Sequence, residues 1–411
     1  MPFRDNEQTV SRRELFGSLL AMVFLVNLAR LIFAPLVQPA AADFDVTAAS
    51  LGVVASAAWL GSASPRLPTG YLLTRFPRHY IVATTGTLLV FTSLFTAFSQ
   101  SVTHLTVGAF LMGISSGMYF IAANPLVSEL FPNRVGSAIG IHGMWSQVAA
   151  VGAPLFVSAI LLVGDWRTAF VLISALAAVS TVALLVATRR TDLPEAGGAD
   201  RSLLAAGRAQ WRLILTGIVL IGAAGFLWNA LFNLYGDYLD VAKGIDASTG
   251  RLLLSAMFAA GLPAFLVTGR LADRVSNVPL ILTIIGSFSV LVFALTLVES
   301  FVAIVVLSLV IGYVVHSLFP AIDTYMLSSL PDHHRGSAYA LYSATMMLFQ
   351  AFGSGTVGVA VDGGLDYDVA FQSLTVVVAV VTAGMFVLYR SGRLPASGAP
   401  GATPAASKTA D

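Results

Sequence analysis

The sequence has 411 residues, 57% of them hydrophobic and 10% charged, with a mean hydropathy of +0.84. No soluble fold hides that much apolar surface, so lipid is the solvent for most of this chain. The formal net charge of +1 carries no partner information, and the absence of cysteine excludes disulfides and thiolate metal sites.

A helix needs roughly 20 apolar residues to cross the hydrocarbon of a bilayer. Polar loops cut the chain into about twelve such runs, near 15–37, 48–73, 80–98, 104–128, 136–162, 168–188, 212–235, 248–270, 278–298, 302–327, 337–361 and 369–389. The expected fold class is therefore an all-α membrane protein of twelve transmembrane helices in two six-helix halves. Its expected parts are an N-terminal segment 1–14, a first half 15–188, a polar linker 189–211, a second half 212–390 and a disordered tail 391–411. Thr47 and Ser248 precede the second and eighth runs as candidate N-caps. Ser11-Arg12-Arg13-Glu14-Leu15-Phe16 imitates a twin-arginine signal, but the run that follows is too long and contains Arg30.

Orientation follows from the basic residues. With both termini cytosolic, only Arg167, Lys243 and Arg251 of the 22 lysines and arginines fall outside, and Arg30 and Arg66 lie within spans. The expected location is a prokaryotic cytoplasmic membrane.

The halves repeat. A shift of 199 residues lays Thr69-Gly70 on Thr268-Gly269, Leu72 on Leu271, Arg75 on Arg274, Gly113 on Gly312 and Asn124 on Asp323. One residue later in register, Gly136-Ser137-Ala138 meets Gly336-Ser337-Ala338. Parallel six-helix repeats imply a pseudo-two-fold axis along the membrane normal.

With its two loops TGYLLTRFPR (69–78) and TGRLADR (268–274), the chain resembles the major facilitator superfamily over about residues 12–390. The second loop matches the family signature, whereas the first carries Thr74 and Pro77 where the family has Asp and Gly. The resemblance implies alternating access and a central cavity lined by the first, fourth, seventh and tenth spans. It brings Asn27, Arg30, Tyr119, Asn124, Asn229, Asn233, Tyr313 and His316 towards a small-molecule substrate. Around Arg66, Arg-Leu-Pro-Thr-Gly is similar to the second-helix segment of nitrate/nitrite porters, although the second arginine of those proteins is replaced here by Phe265. Arg30 resembles the first-helix arginine of anion:cation symporters.

Physical chemistry singles out the same residues. A cation at mid-membrane costs at least roughly 2.5–3.5 kcal/mol and normally faces water or a partner. Arg30 follows Asn27, and Arg66 follows Ser62, by one turn. Counting along the spans puts Arg30 towards the outside and Arg66 towards the cytosol, where snorkelling is an alternative. Asp323, with His316 seven residues before it, is the candidate proton carrier. The alternative for Asp323 is an ion pair with Arg335 or Arg134.

At the cytosolic rim, Gly70 and Gly269 allow close helix approach. Asp273 is expected against the amino end of the eleventh helix near His334 to Gly336, closing that side. The alternative is a topology signal with a tight turn. Glu129, beside Arg134 and opposite Arg75 and Arg78, is expected in a rim salt bridge, and Arg274 completes the gate. His142 is expected to be structural.

The sequence therefore predicts a secondary transporter, symporter or antiporter, of a small anion or organic acid with proton coupling. It is not an enzyme, and it is expected to be a monomer in the bilayer with no cofactor, metal or nucleic acid. The alternatives are a proton-linked exporter of amphipathic compounds and a non-transporting membrane sensor.

Overall fold

The computed structural model describes residues 2–46, 51–191, 193 and 202–395. These form α1 (Pro2–Leu31), α2 (Phe33–Phe44), α3 (Gly52–Ala63), α4 (Arg66–Leu73), α5 (Arg78–Ala97), α6 (Val102–Leu130), α7 (Val135–Leu161) and α8 (Arg167–Arg190). The linker helix α9 (Leu203–Ala209) follows. Then come α10 (Trp211–Lys243), α11 (Ala247–Ala272), α12 (Asn277–Leu297), α13 (Phe301–Ser329), α14 (Arg335–Asp362) and α15 (Tyr367–Arg390).

Eleven of these helices are long and apolar enough to cross a membrane. The twelfth crossing is α3 with α4. Pro65 supplies no N–H and interrupts the ladder there, and Ser64 Oγ donates to the Gly61 carbonyl thus freed, at 3.1 Å. The first crossing is broken likewise, α1 passing into α2 at Ile32 just before Pro35. The outer surface stays apolar, as Val179 and Val182 of α8 and Val377 and Val380 of α15 illustrate, each more than half exposed. Such a belt suits lipid rather than water.

Thr47 lies outside the described residues. Ser248 falls inside α11 rather than at its cap. Asp246 caps that helix instead, accepting from Thr249 N at 3.1 Å, because a carboxylate at that position reaches the third helical amide. The linker is more ordered than its polarity suggests: Leu203 of α9 packs over Gly70. Of the tail, residues 391–395 are described, and the Tyr325 hydroxyl donates to the Pro395 carbonyl at 3.2 Å. Residues 396–411 lie outside the described residues.

The duplication holds down to single contacts. A Cβ on Gly113 of α6 would strike the Ala58 carbonyl of α3, and one on Gly312 of α13 would strike Met257 of α11. Both residues of the second pair are 199 beyond those of the first. Small residues that let backbones touch hold helices together in lipid, where apolar side chains gain nothing by leaving the solvent.

The two halves then pack across the axis along two equivalent seams. Gly269 of α11 lies on Gly136 and Gly140 of α7, and Gly70 of α4 lies on Ala340 of α14. Both seams sit at the end that carries the linker. Farther along α7 the contact ends, and Gly152 has no neighbour within 4 Å of where a Cβ would stand.

At the opposite end each half is tied by an ion pair, with the signs exchanged. Arg167 at the start of α8 reaches Asp43 at the end of α2 at 2.7 Å and the Ser99 carbonyl at 2.8 Å. Lys243 at the end of α10 reaches Asp368 at the start of α15 at 3.1 Å and the Thr296 carbonyl at 2.9 Å. The hydrogen bond from Arg167 holds the Asp43 carboxyl below the usual carboxylate range. Its contribution is therefore present above the ordinary carboxyl value and lost only as pH falls through the lowered one. The Lys243 side chain is fully buried, whereas Arg167 and Asp43 are 25% and 39% exposed. Lys243→Met should therefore cost about 3 kcal/mol or more and Asp43→Asn about 0–1 kcal/mol. Thermal unfolding in detergent checks the order, and equal losses would contradict it.

Candidate functional site

Arg30 and Arg66 stand on either side of the two helix breaks, and both reach Ser62. Arg30 donates from Nη1 to Ser62 Oγ at 3.5 Å and from Nη2 to Asn27 Oδ1 at 2.6 Å. Its guanidinium lies over the Trp59 ring at 4.3 Å. Arg66 donates from Nε to the Ser62 carbonyl at 3.4 Å and from Nη1 to Ser343 Oγ of α14. Neither arginine forms an ion pair among the described residues. Arg30 Nε is buried with no hydrogen-bond partner. Counting along straight spans separates the two cations, but the structure converges them on one residue.

Asn27 accepts from Arg30 and donates from Nδ2 to the Ser146 carbonyl at 2.6 Å, so it orients the guanidinium. Around Arg30 and Arg66 the protein thus offers hydroxyls, carbonyls and ring faces as partners. A cation pair so placed retains the capacity to bind an anion.

Below this site, towards the linker end, Asn124 of α6 meets Asp323 of α13, its own counterpart in the repeat, at 3.4 Å. Two residues related by a two-fold can touch only beside the axis, so this pair marks it. Asn124 Nδ2 also donates to the Tyr339 hydroxyl at 2.8 Å, which donates to Asp323 Oδ1 at 3.1 Å. Arg66 is within electrostatic reach of the same carboxylate. Of the alternative partners expected for Asp323, Arg335 turns instead to Glu129 at 3.6 Å and Asp332 at 2.6 Å, and no ion pair joins Arg134 to Asp323 among the described residues. Tyr339 and Ser343 escape sequence reasoning, although both lie in the repeated segment that begins at Gly336.

His316 does not share the Asp323 site. Its Nδ1 pairs with the Gly312 carbonyl at 2.7 Å, and its ring lies 5.4 Å from Trp228 and 5.3 Å from Phe258. Two turns of separation carry it along α13 to a different set of neighbours.

Tyr119 departs from expectation as well. It is fully buried inside the first half, donating to the Leu19 carbonyl at 2.7 Å and pairing with His142 Nε2 at 3.0 Å. A phenol in an apolar bundle is held by the acceptors it finds, here on α1 and α7. His142 is the partner of that phenol. Asn229 Oδ1 accepts from Ser354 N at 3.2 Å, tying α10 to α14 of the same half. Asn233 is exposed and donates to the Asn229 carbonyl at 2.9 Å. Tyr313 is half-buried, and its carbonyl accepts from Ser317. None of these four touches either arginine among the described residues.

Asp273 joins the two halves, but on a different helix from the one expected. Its carboxylate accepts from Gly136 N at 2.6 Å and Ser137 N at 2.8 Å, at the amino end of α7, and Ser137 Oγ donates to it as well. The two-fold explains the correction: α11 packs against the other half, so its loop meets α7 rather than α14. In the pseudo-equivalent place, Thr74 turns its hydroxyl back to the Tyr71 carbonyl at 2.7 Å.

A buried pair of Arg78 and Glu129, 2.6 Å apart, extends across the seam to Arg335. Arg75 is exposed and donates to the Tyr71 hydroxyl at 2.9 Å, and Arg274 is also exposed. Both stand apart from the polar contacts between the halves, since the loop points them away from the bundle.

A profile of the Major Facilitator Superfamily matches residues 19–244 and 225–410. The chain belongs to this superfamily. It is 24% identical over 353 residues to an MFS-type transporter of Bacillus subtilis (strain 168), YwfA, covering 82% of each chain. It is also 23% identical over 287 residues to the probable sulfoacetate transporter SauU of Cupriavidus necator, covering 64% of this chain and 66% of that one. Among solved structures, the proton:xylose symporter XylE superposes with a TM-score of 0.72 at 16% identity, covering 92% of this chain and 96% of that one. Membership of this superfamily makes the chain a multi-pass membrane transporter.

Removing the Asp273 carboxylate uncaps α7. Asp273→Ala should cost the closed seam about 0.5–2 kcal/mol, the usual worth of such a cap. With no native cysteine, a thiol introduced by Ala272→Cys reports the change: maleimide labelling should accelerate in Asp273→Ala and slow again when Thr74→Asp is added. Equal labelling in all three would contradict the latch.

Proposed function

We propose that the protein is a secondary active transporter that moves a small anion together with a proton by alternating access. The observation that carries this reading is the pair Arg30 and Arg66, two membrane-embedded guanidiniums converging on Ser62 with no carboxylate paired to either among the described residues. An uncompensated cation in lipid is costly, and an anion drawn between them completes the site. The probable sulfoacetate transporter among the relatives, whose named substrate is an anion, supports the same class.

Arg30 and Arg66 bind the anion, Asn27 and Ser62 hold the two side chains, and Trp59 gives Arg30 a flat support. Asp323 carries the proton, because it lies at the axis within reach of Arg66 and bonds across the seam through Asn124 and Tyr339. His316, set among aromatic rings, takes no part.

The excess of arginine at the linker end supports a topology with both termini in the cytosol. In the described conformation the seams at that end are closed. Inward opening separates α4 from α14 and α7 from α11 while each half moves as a body.

A thermal-shift screen of purified protein tests the anion reading. Nitrate, nitrite, phosphate and sulfoacetate form the panel, because a ligand that binds only the folded state raises its unfolding temperature. At a concentration 100 times its Kd, a true ligand adds about 2.7 kcal/mol. At least one anion should do so in the native protein and fail to do so in Arg30→Ala and Arg66→Ala. A shift that survives both substitutions would overturn the assignment.

A further inference from the structure

Two polar ties join the halves between the arginine pair and the Asp273 latch, and both end on one turn of α14. Arg66 of α4 donates to Ser343 Oγ. Asn124 of α6 donates to the Tyr339 hydroxyl, which donates to Asp323 of α13. Residues 339 and 343 are four apart, so their side chains share one face of the helix.

The two ties are released by different events. An anion between Arg30 and Arg66 competes with the Ser343 hydroxyl for the Arg66 donors, and a charged acceptor bonds roughly twice as strongly as a neutral one. The other tie depends on the charge of Asp323. A hydronium ion that passes its proton to one carboxylate oxygen, its own O–H bond breaking as the new one forms, removes that charge and leaves water. This weakens the direct bond from Asn124 and, through the bond from Tyr339, the hold of that hydroxyl on Asn124. The reverse transfer to water on the opposite side restores the carboxylate.

We propose that Tyr339 and Ser343 form a two-key lock on the cytosolic seam: the anion releases Ser343, the proton releases Tyr339, and the seam parts only when both are released. This rests on the anion and proton reading above and adds the element that couples them. The coupling resides in α14, so anion and proton need not touch. The charged and titratable groups that face Asp323 are Arg66 from α4 and Tyr339 and Tyr342 from α14, with neutral Asn124 from α6. Tyr339 and Ser343 are positioning residues: they hold the groups that bind the anion and the proton.

The test needs neither substrate nor pH change. Ala340 lies between the two positions in sequence, is fully buried and packs on Gly70 across the seam. In nanodiscs without added anion, the maleimide labelling rate of an Ala340→Cys thiol is compared in four backgrounds: unaltered, Ser343→Ala, Asp323→Asn, and both together. If the ties act as one lock, each single substitution should raise the rate by less than about twofold and the pair by more than about tenfold, a non-additivity expected only of coupled sites. The pair Ser343→Ala with Tyr339→Phe removes both hydroxyls, keeps the carboxylate and its direct bond from Asn124, and should raise the rate above either single substitution. A single variant that labels as fast as its double, or both doubles labelling no faster than the parent, would overturn the lock. Labelling without synergy beside an arginine-dependent thermal shift defeats the lock alone. Synergy without any thermal shift defeats the anion reading instead.

Discussion

Two guanidiniums held in an apolar bundle without a carboxylate of their own are the constraint on which the arrangement depends. Lipid forbids the simple solution of leaving them solvated. The chain instead breaks two helices beside them, at Ile32 and at Pro65, and turns their donors onto Ser62, Asn27 and Ser343. These are neutral acceptors. They hold both arginines in place without an ion pair among the described residues, with the Asp323 carboxylate in electrostatic reach of Arg66 alone.

Symmetry explains where the rest must be. A duplicated unit with parallel halves places counterpart residues face to face only at its axis, and there Asn124 meets Asp323. The duplication has supplied an amide and a carboxylate that complete each other, where two identical acids would repel. The same logic separates the two loops. Asp273 caps α7, while Thr74 bonds within its own loop, so the seams share a backbone plan and differ in polar chemistry. At the other end the repeat keeps an ion pair in both halves and reverses its sign.

The twelve crossings, the repeat and the unusual positions of Arg30, Arg66, Asp323 and Asp273 are legible in the sequence, because each leaves a local mark. Runs of apolar residues, a fixed offset and charges out of place in lipid need no knowledge of packing. What stayed hidden depended on facing. Tyr119 lies on a span expected to line the cavity, yet its hydroxyl is taken by the Leu19 carbonyl and His142. The partner of Asp273 was assigned within its own half, because sequence order cannot say that the two-fold brings α11 against α7. Tyr339 and Ser343 carry no charge, so nothing but their contacts marks them.

Anomalous diffraction from crystals soaked in selenate tests the central claim most directly. Selenium marks the position of an oxyanion without depending on the physiological substrate. An uncompensated arginine pair predicts a peak within hydrogen-bond distance of both Arg30 and Arg66, beside Ser62. Occupied anion sites elsewhere, with Arg30 and Arg66 each paired to a protein carboxylate, would contradict it.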